Sequence, residues 1–275
     1  MFFMEKEGMA KVPVTDEDRK KPYFKYYERD VISMVPEKMS FAFGGPMTPM
    51  DAVPFTDRAR ILTDEGIGTR IGYTVMPDGT GYMADVTFMP GVTADMLDWY
   101  MAWRGLDPLR FVIANPENNM SAMSMQTSKF ADEDLIGAEK YWDTTQMVIK
   151  MSDMGPAKEA VNFKCPSDVG FDMEVLKSSN TASLICARGY AHGQPPAAGP
   201  DYLICHQVIE KEDGVEVRTK CWIGWTVRYG KDYKQLPDGF FMPPVFAMGV
   251  FLQNVKEWAN LATILPQLYA EEHGE

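Results

Sequence analysis

The last third of the chain constrains the fold most. Two long alternating stretches are joined by a tight turn, and a single helical stripe then closes the sequence. "YLICHQVIE" (202–210) leads through "KEDGV" into "EVRTKCWIGWTV" (216–227), which reads as a hairpin with Asp213-Gly214 at its turn. Period-two alternation places Tyr202, Ile204, His206 and Val208 on one face of the first strand. On the second strand Val215, Val217, Thr219, Cys221, Ile223 and Trp225 share a face that is almost wholly apolar, so that face is the buried one and His206 points inward. Pro243 and Pro244 then open a helix, and Pro266 is expected to kink it or divide it in two. Val250, Gln253, Glu257, Leu261, Ile264 and Leu268 recur at spacings of three and four. An amide and a carboxylate therefore sit in an otherwise apolar stripe.

Upstream, "TRIGYTVM" (69–76) and "YMADVTFM" (82–89) flank "PDGTG" as a second hairpin. "TADMLDWYMAWRG" (93–105) is an amphipathic helix with Thr93 as N-cap, Met96, Leu97, Tyr100 and Trp103 on its stripe, and Gly105 at its end. "LRFVIAN" (109–115) reads as a strand stopped by Pro116, and "TQMVIKM", "AVNFKC" and "SLICARGYA" as three more. Residues 1–60, rich in proline and charge, read as an N-terminal wrapping arm with one short helix, and 61–275 as the main domain. Many hairpin-linked strands and one closing helix define an α+β fold: a curved antiparallel sheet packed around a helix, with room for an internal cavity.

Charge narrows the partners. With 27 basic and 39 acidic residues the chain carries a net charge of −12, which repels nucleic acid and anionic membrane surfaces. No apolar run reaches the roughly 20 residues of a membrane span, and "MFFMEKEGMAKVPV" has no signal-like apolar core. Cys165, Cys186, Cys205 and Cys221 lack CxxC spacing and read as buried free thiols in a reducing cytoplasm, with disulfides the weaker reading. The 21 methionines fit an adaptable apolar pocket, and equally plain core filling or codon bias. "GYTVMPDGTG" has no helix after its glycines and reads as a turn, not a phosphate loop. His192 and His273 sit in a Gly/Pro loop and a polar tail, where no role is expected.

A buried carboxylate at Glu257 needs a metal, a cation or a shared proton, since burial without a partner costs several kcal/mol. Glutamine at i−4 is a poor ligand for transition metals, so spacing alone points only weakly to a metal. His206, as one inward histidine, is compatible with a hydrogen-bonded core residue or a catalyst.

The segments "MPDGTGYMADVTFMPGVTADMLDWYMAWRG", "LRFVIANPENN", "MSDMGP", "GFD", "YLICHQV" and "EWANLATILPQLYAEE" together resemble the diacetylphloroglucinol hydrolase and phloretin hydrolase family, in the family's order, from about Tyr73 to Glu272. That resemblance implies a helix-grip fold like that of the Bet v 1 proteins, a homodimer, and hydrolysis of the carbon–carbon bond between an acyl group and a phloroglucinol ring with a zinc ion in the gripped cavity. The positions that would hold the zinc are mostly changed: they fall on Asn119, Ser152 and Gln253, and only Glu257 matches as a ligand. Two tyrosines that would hold ring hydroxyls fall on Phe111 and Cys221, whereas the strand histidine is retained as His206.

Glu257 and His206 amount to two ligands, and zinc needs three or four. The leading expectation is therefore a metal-free enzyme of this scaffold acting on an aromatic or polycyclic ketone or phenol. Glu257 and His206 would be general base and acid, with Glu257 raised in pKa by burial. Asn119, Gln253, Ser152, Phe111 and Cys221 would contact the substrate. The reaction would be C–C hydrolysis or a proton-transfer isomerisation or cyclisation. Two alternatives stay open: a non-catalytic binder of an apolar small molecule, and a zinc-dependent C–C hydrolase of acylphloroglucinols using His206, Glu257 and a carboxylate such as Asp153 or Glu117. The helix at 93–104 is a candidate dimer surface.

Overall fold

The structure, a computed structural model, describes residues 10–152, 155–191 and 200–274, the side chains of Ser152 and Ala191 excepted. Eight strands form one antiparallel sheet: β1 (Gly72–Val75), β2 (Gly81–Pro90), β3 (Asn119–Ser124), β4 (Thr145–Ser152), β5 (Gly155–Lys164), β6 (Thr181–Ala191), β7 (Tyr202–Lys211) and β8 (Gly214–Ile223). Their spatial order is β1-β2-β8-β7-β6-β5-β4-β3. From β4 to β8 every strand pairs with its predecessor in the chain. The crossing from β2 to the far edge at β3 is carried by the helices Ala94–Trp103 and Pro108–Val112. The long helix Pro244–Ala262 lies on the inner face against β1 and β2, which completes the helix-grip arrangement of an α+β fold.

The β7–β8 register pairs His206 with Thr219 and Ile204 with Cys221, so the two inner faces coincide as alternation requires. Part of the outer face is buried as well. Phe55, Ile61 and Leu62 of the N-terminal segment cover Tyr82, Leu203, Cys205 and Trp222, while Val12, Tyr23, Phe24 and Tyr26 join the core beside the helices. This segment holds several short helices rather than the one expected, including Pro36–Phe43 and the 3-10 turns of Phe55–Leu62. Trp225 does not continue the face of Ile223: it belongs to a small hairpin, β9 (Trp225–Arg228) with β10 (Lys231–Lys234), and stacks on Phe55 at 5.0 Å.

"LRFVIAN" is not a strand. Asp107 caps a helix there, accepting the backbone N–H of Leu109, and Pro108 occupies its first turn. Those two start signals decide the structure of an apolar run too short for periodicity to assign. The predicted break of the closing helix occurs as expected: Pro266 sits in the first turn of a second helix, Leu265–His273. The four cysteines are free, with Cys186 and Cys205 side by side on the outer face, 3.5 Å between sulfurs. Among the described residues no helix is long and apolar enough to cross a membrane.

Candidate active site

Between the inner face of the sheet and the long helix lies a cavity of about 150 Å³. Its apolar walls come from alternate residues of the central strands: Met83, Val148, Val161, Phe163, Ala187 and Ile204. The helix stripe contributes Val250, Gln253 and Glu257, so both polar residues of the stripe face this cavity. His206, Phe111 and Cys221 line it too.

Two cations meet Glu257. Lys150, on the inner face of β4, places Nζ 3.2 Å from Oε2, and Arg104, which follows the helix Ala94–Trp103, places Nη1 3.6 Å from Oε1. Burial alone pushes the Glu257 carboxyl upward, but Lys150 and Arg104 outweigh it and hold the group below the usual glutamate range. The expectation of a raised pKa is thus overturned by two partners that lie far away in sequence. Burial likewise works to lower Lys150, yet Glu257 and Glu159 raise it above the ordinary lysine value, so it stays charged.

Arg104 is itself held in place. Its Nε donates to Gln146 Oε1 at 3.2 Å, Gln146 Nε2 donates to Met101 O at 2.8 Å, and the guanidinium lies 5.4 Å from the ring centres of Phe111 and Phe163. Gly105 makes this possible. It follows the helix end, as expected from sequence, and is also a close approach: a Cβ there would fall 2.8 Å from Gln146 Nε2.

His206 pairs its Nδ1 with Thr219 Oγ1 at 2.8 Å and packs edge-on against Trp258 at 4.8 Å. Burial, assisted by Arg104 and Lys150 and opposed by Glu257, pushes its pKa down to about 3. The imidazole is neutral at pH 7 and cannot serve there as the general acid first expected. Burial first, with neighbouring Cys205 and Glu159, holds the Cys221 thiol far above the ordinary range, so it acts as cavity wall, not nucleophile. Tyr202 and Glu159 complete the polar part of the lining, and the Tyr202 hydroxyl donates to Glu159 Oε2 at 3.0 Å.

Other positions singled out in sequence lie elsewhere. The Asn119 side chain is buried and donates to Phe111 O at 3.1 Å, so it supports a cavity residue instead of lining the cavity. Glu117 does not reach Glu257 or His206; it is buried against Lys256 and accepts from Ser33. The Ser152 side chain, Asp153 and His192 lie outside the described residues. His273 stacks on Tyr269 at the surface. Lys150 and Arg104 were missed by sequence reasoning, although "TQMVIKM" places Lys150 on the same face as Val148 by simple alternation.

Among the described residues the donor set does not fit a zinc ion. Glu257 already faces an ammonium and a guanidinium, which repel a dication and already balance the carboxylate's charge. His206 has one nitrogen engaged by Thr219, and Gln253 is a weak ligand. Among the described residues no three His, Cys, Asp or Glu side chains come together as a metal cluster.

Residues 53–270 match the DAPG hydrolase PhiG domain family. Over 98% of this chain and 97% of its own length, the phloretin hydrolase of Eubacterium ramulus is 36% identical. A 2,4-diacetylphloroglucinol hydrolase of Pseudomonas protegens is 22% identical over 92% of this chain and 85% of its own. Two solved structures resemble the chain more distantly. Ara h 8.0201 has 9% identity and TM-score 0.42, covering 68% of this chain and 98% of its own. A norcoclaurine synthase mutant from Thalictrum has 11% identity and TM-score 0.37, covering 75% and 100%. The chain belongs to the DAPG hydrolase family, and it is an enzyme of that hydrolase scaffold.

Proposed function

We propose that this protein hydrolyses the carbon–carbon bond between a short acyl group and a phenolic ring, and that Glu257, Lys150 and Arg104 carry the chemistry without zinc. The observation that supports this most is the ion cluster itself: an ionised carboxylate and two cations converge on a cavity whose walls are largely apolar. Family membership supplies the reaction class, since the similar proteins are named as hydrolases of phloretin and of 2,4-diacetylphloroglucinol. At about 150 Å³ the cavity matches the size that admits one benzene ring, so a single-ring substrate fits best.

Glu257 takes a proton from water as the hydroxide adds to the acyl carbon, and negative charge moves from the carboxylate to the carbonyl oxygen. Lys150 and Arg104 lose one anionic partner as another forms within the same cavity, so their attraction passes to the transition state. The carbon–carbon bond then breaks with its electron pair passing to the ring carbon, which takes the proton held by Glu257. One aryl ketone and one water give one arene and one carboxylic acid. His206, neutral at pH 7, orients the water or the acyl oxygen by hydrogen bonding, and Gln253, Phe111 and Cys221 shape the wall around the ring.

Incubation with monoacetylphloroglucinol should release phloroglucinol and acetate in equal amounts. Glu257→Gln should lower kcat by about 10²-fold or more. Activity should survive exhaustive dialysis against chelator, with less than stoichiometric zinc by elemental mass spectrometry. A substrate bound without any product formed would show a binding protein instead. One zinc per chain, lost together with activity, would restore the metal-dependent mechanism.

A further inference from the structure

The polar groups of the cavity extend beyond the ion cluster. Tyr202, Ile204 and His206 alternate along the inner face of β7, and four residue steps of strand lead from Tyr202 to His206, roughly 13 Å along the sheet. Tyr202 turns sideways across the sheet. Its register partner on β6 is Gly189, and a Cβ at Gly189 would fall 1.9 Å from the tyrosine Cζ. Only a glycine lets the ring lie flat over β6, and that path takes the hydroxyl to Glu159 on β5. Glu159 also raises Lys150 electrostatically, so charges of alternating sign connect Arg104, Glu257, Lys150 and Glu159, and the neutral Tyr202 hydroxyl donates to the last of them.

We propose that Tyr202 and Glu159, with Gly189 making room for them, form a subsite that reads a ring hydroxyl opposite the acyl group of the substrate. The inference rests on the reaction proposed above. Burial, with Glu159 close by, keeps the tyrosine protonated well above its ordinary range, so it donates to Glu159 throughout the working pH range. A phenol whose hydroxyl donates to the Tyr202 oxygen then closes a chain of hydrogen bonds that ends on an anion, the arrangement that strengthens each member. With the acyl group at Glu257 and His206, the ring's para position points along β7 toward Tyr202. An aryl ether there has no proton to donate and leaves the tyrosine oxygen unpaired, which is how a site built for a hydroxyl rejects its analogue.

The test compares trihydroxyacetophenone with its para-O-methyl ether, in turnover and in calorimetric binding. Proteins compared are the wild type, Tyr202→Phe, Glu159→Gln and Gly189→Ala, each checked for folding by circular dichroism. The wild type should prefer the free phenol in kcat/KM by roughly 10- to 100-fold, the range of one hydrogen bond tied to a charge. Tyr202→Phe should abolish that preference, mainly through KM, while the ether is turned over nearly as before. Gly189→Ala retains the hydroxyl but displaces it, and should behave like Tyr202→Phe. Preference unchanged in all three variants overturns the subsite while leaving the reaction standing. Loss of both substrates in equal measure, in folded protein, also overturns it, because a general defect is not discrimination. If the wild type cleaves neither compound although it binds the free phenol more tightly through Tyr202, the subsite holds and the reaction assignment falls. If it neither binds nor cleaves either, both fall together.

Discussion

Replacing Lys150 by methionine tests the assignment of the base most directly. The ammonium stands 3.2 Å from Glu257 Oε2, with side-chain exposures of 28% and 18%. At an effective dielectric constant of 20 the gross attraction is about 332/(20 × 3.2), or about 5 kcal/mol. Desolvation of the two ions, and the water that reaches the lysine, take back most of this, leaving about 1–3 kcal/mol. Since 1.36 kcal/mol corresponds to one pKa unit, loss of the cation should raise the Glu257 carboxyl by roughly 1–2 units. Lys150 favours the ionised carboxylate, so the shift is upward. The acid limb of kcat/KM against pH, which reports essential groups of the free enzyme, should therefore move toward neutrality by that amount in Lys150→Met. Lys150→Arg, which restores a cation, should keep the limb near its original position. An acid limb that stays in place in Lys150→Met, with folding intact, would refute both the pairing as the cause of the lowered pKa and Glu257 as the titrating base.

Three further outcomes follow from the same contacts. His206 is pushed down to about 3 in the fold, against about 6.5 in an unfolded chain, so between those values the unfolded state binds more protons and stability drops as pH falls below about 6.5. Glu257, whose carboxyl is lowered, contributes stability above about 4.5 that is lost only as pH falls further, so the difference in melting temperature between wild type and His206→Gln from pH 4.5 to 6.5 reports the histidine, other groups such as buried Asp98 being common to both. His206→Gln should flatten the decline there, and an unchanged slope would show that the imidazole is protonated in the fold. Glu117→Ala strands buried Lys256 with only the Asn118 amide oxygen at 2.9 Å, and urea unfolding should register a loss of about 3–5 kcal/mol. Gly105→Ala displaces Gln146 from Arg104 and should lower kcat about tenfold, short of the 10²–10³ for removing an oxyanion donor outright; full activity would mean that Arg104 needs no such support.

Much of the scaffold was legible because it repeats. Alternation marked the faces of β7 and β8, three- and four-residue spacing marked the closing helix, and Pro266 divided that helix as a proline must. Where the pattern was weak, the reading failed. Residues 119–124, "NMSAMS", form β3 with only a short alternation that Met123 breaks, and "LRFVIAN" looked like a strand until Asp107 and Pro108 had decided otherwise.

The site was half legible for a deeper reason. Periodicity tells which side of an element a residue faces, and it set Gln253, Glu257 and His206 toward a common interior. It says nothing about what stands opposite. Lys150 meets Glu257 across 107 positions of sequence, and Tyr202 meets Glu159 across 43. A buried carboxylate requires a metal, a cation or a proton, and each choice gives a different enzyme: a Lewis-acid site, an ion cluster or a raised general acid. The helix alone leaves all three open. The register of β4 brings an ammonium to within 3.2 Å, and a glycine that admits Gln146 steadies the guanidinium beside it. The sign of the Glu257 shift, and with it the role the residue can play, is therefore decided by the sheet and not by the helix that carries it.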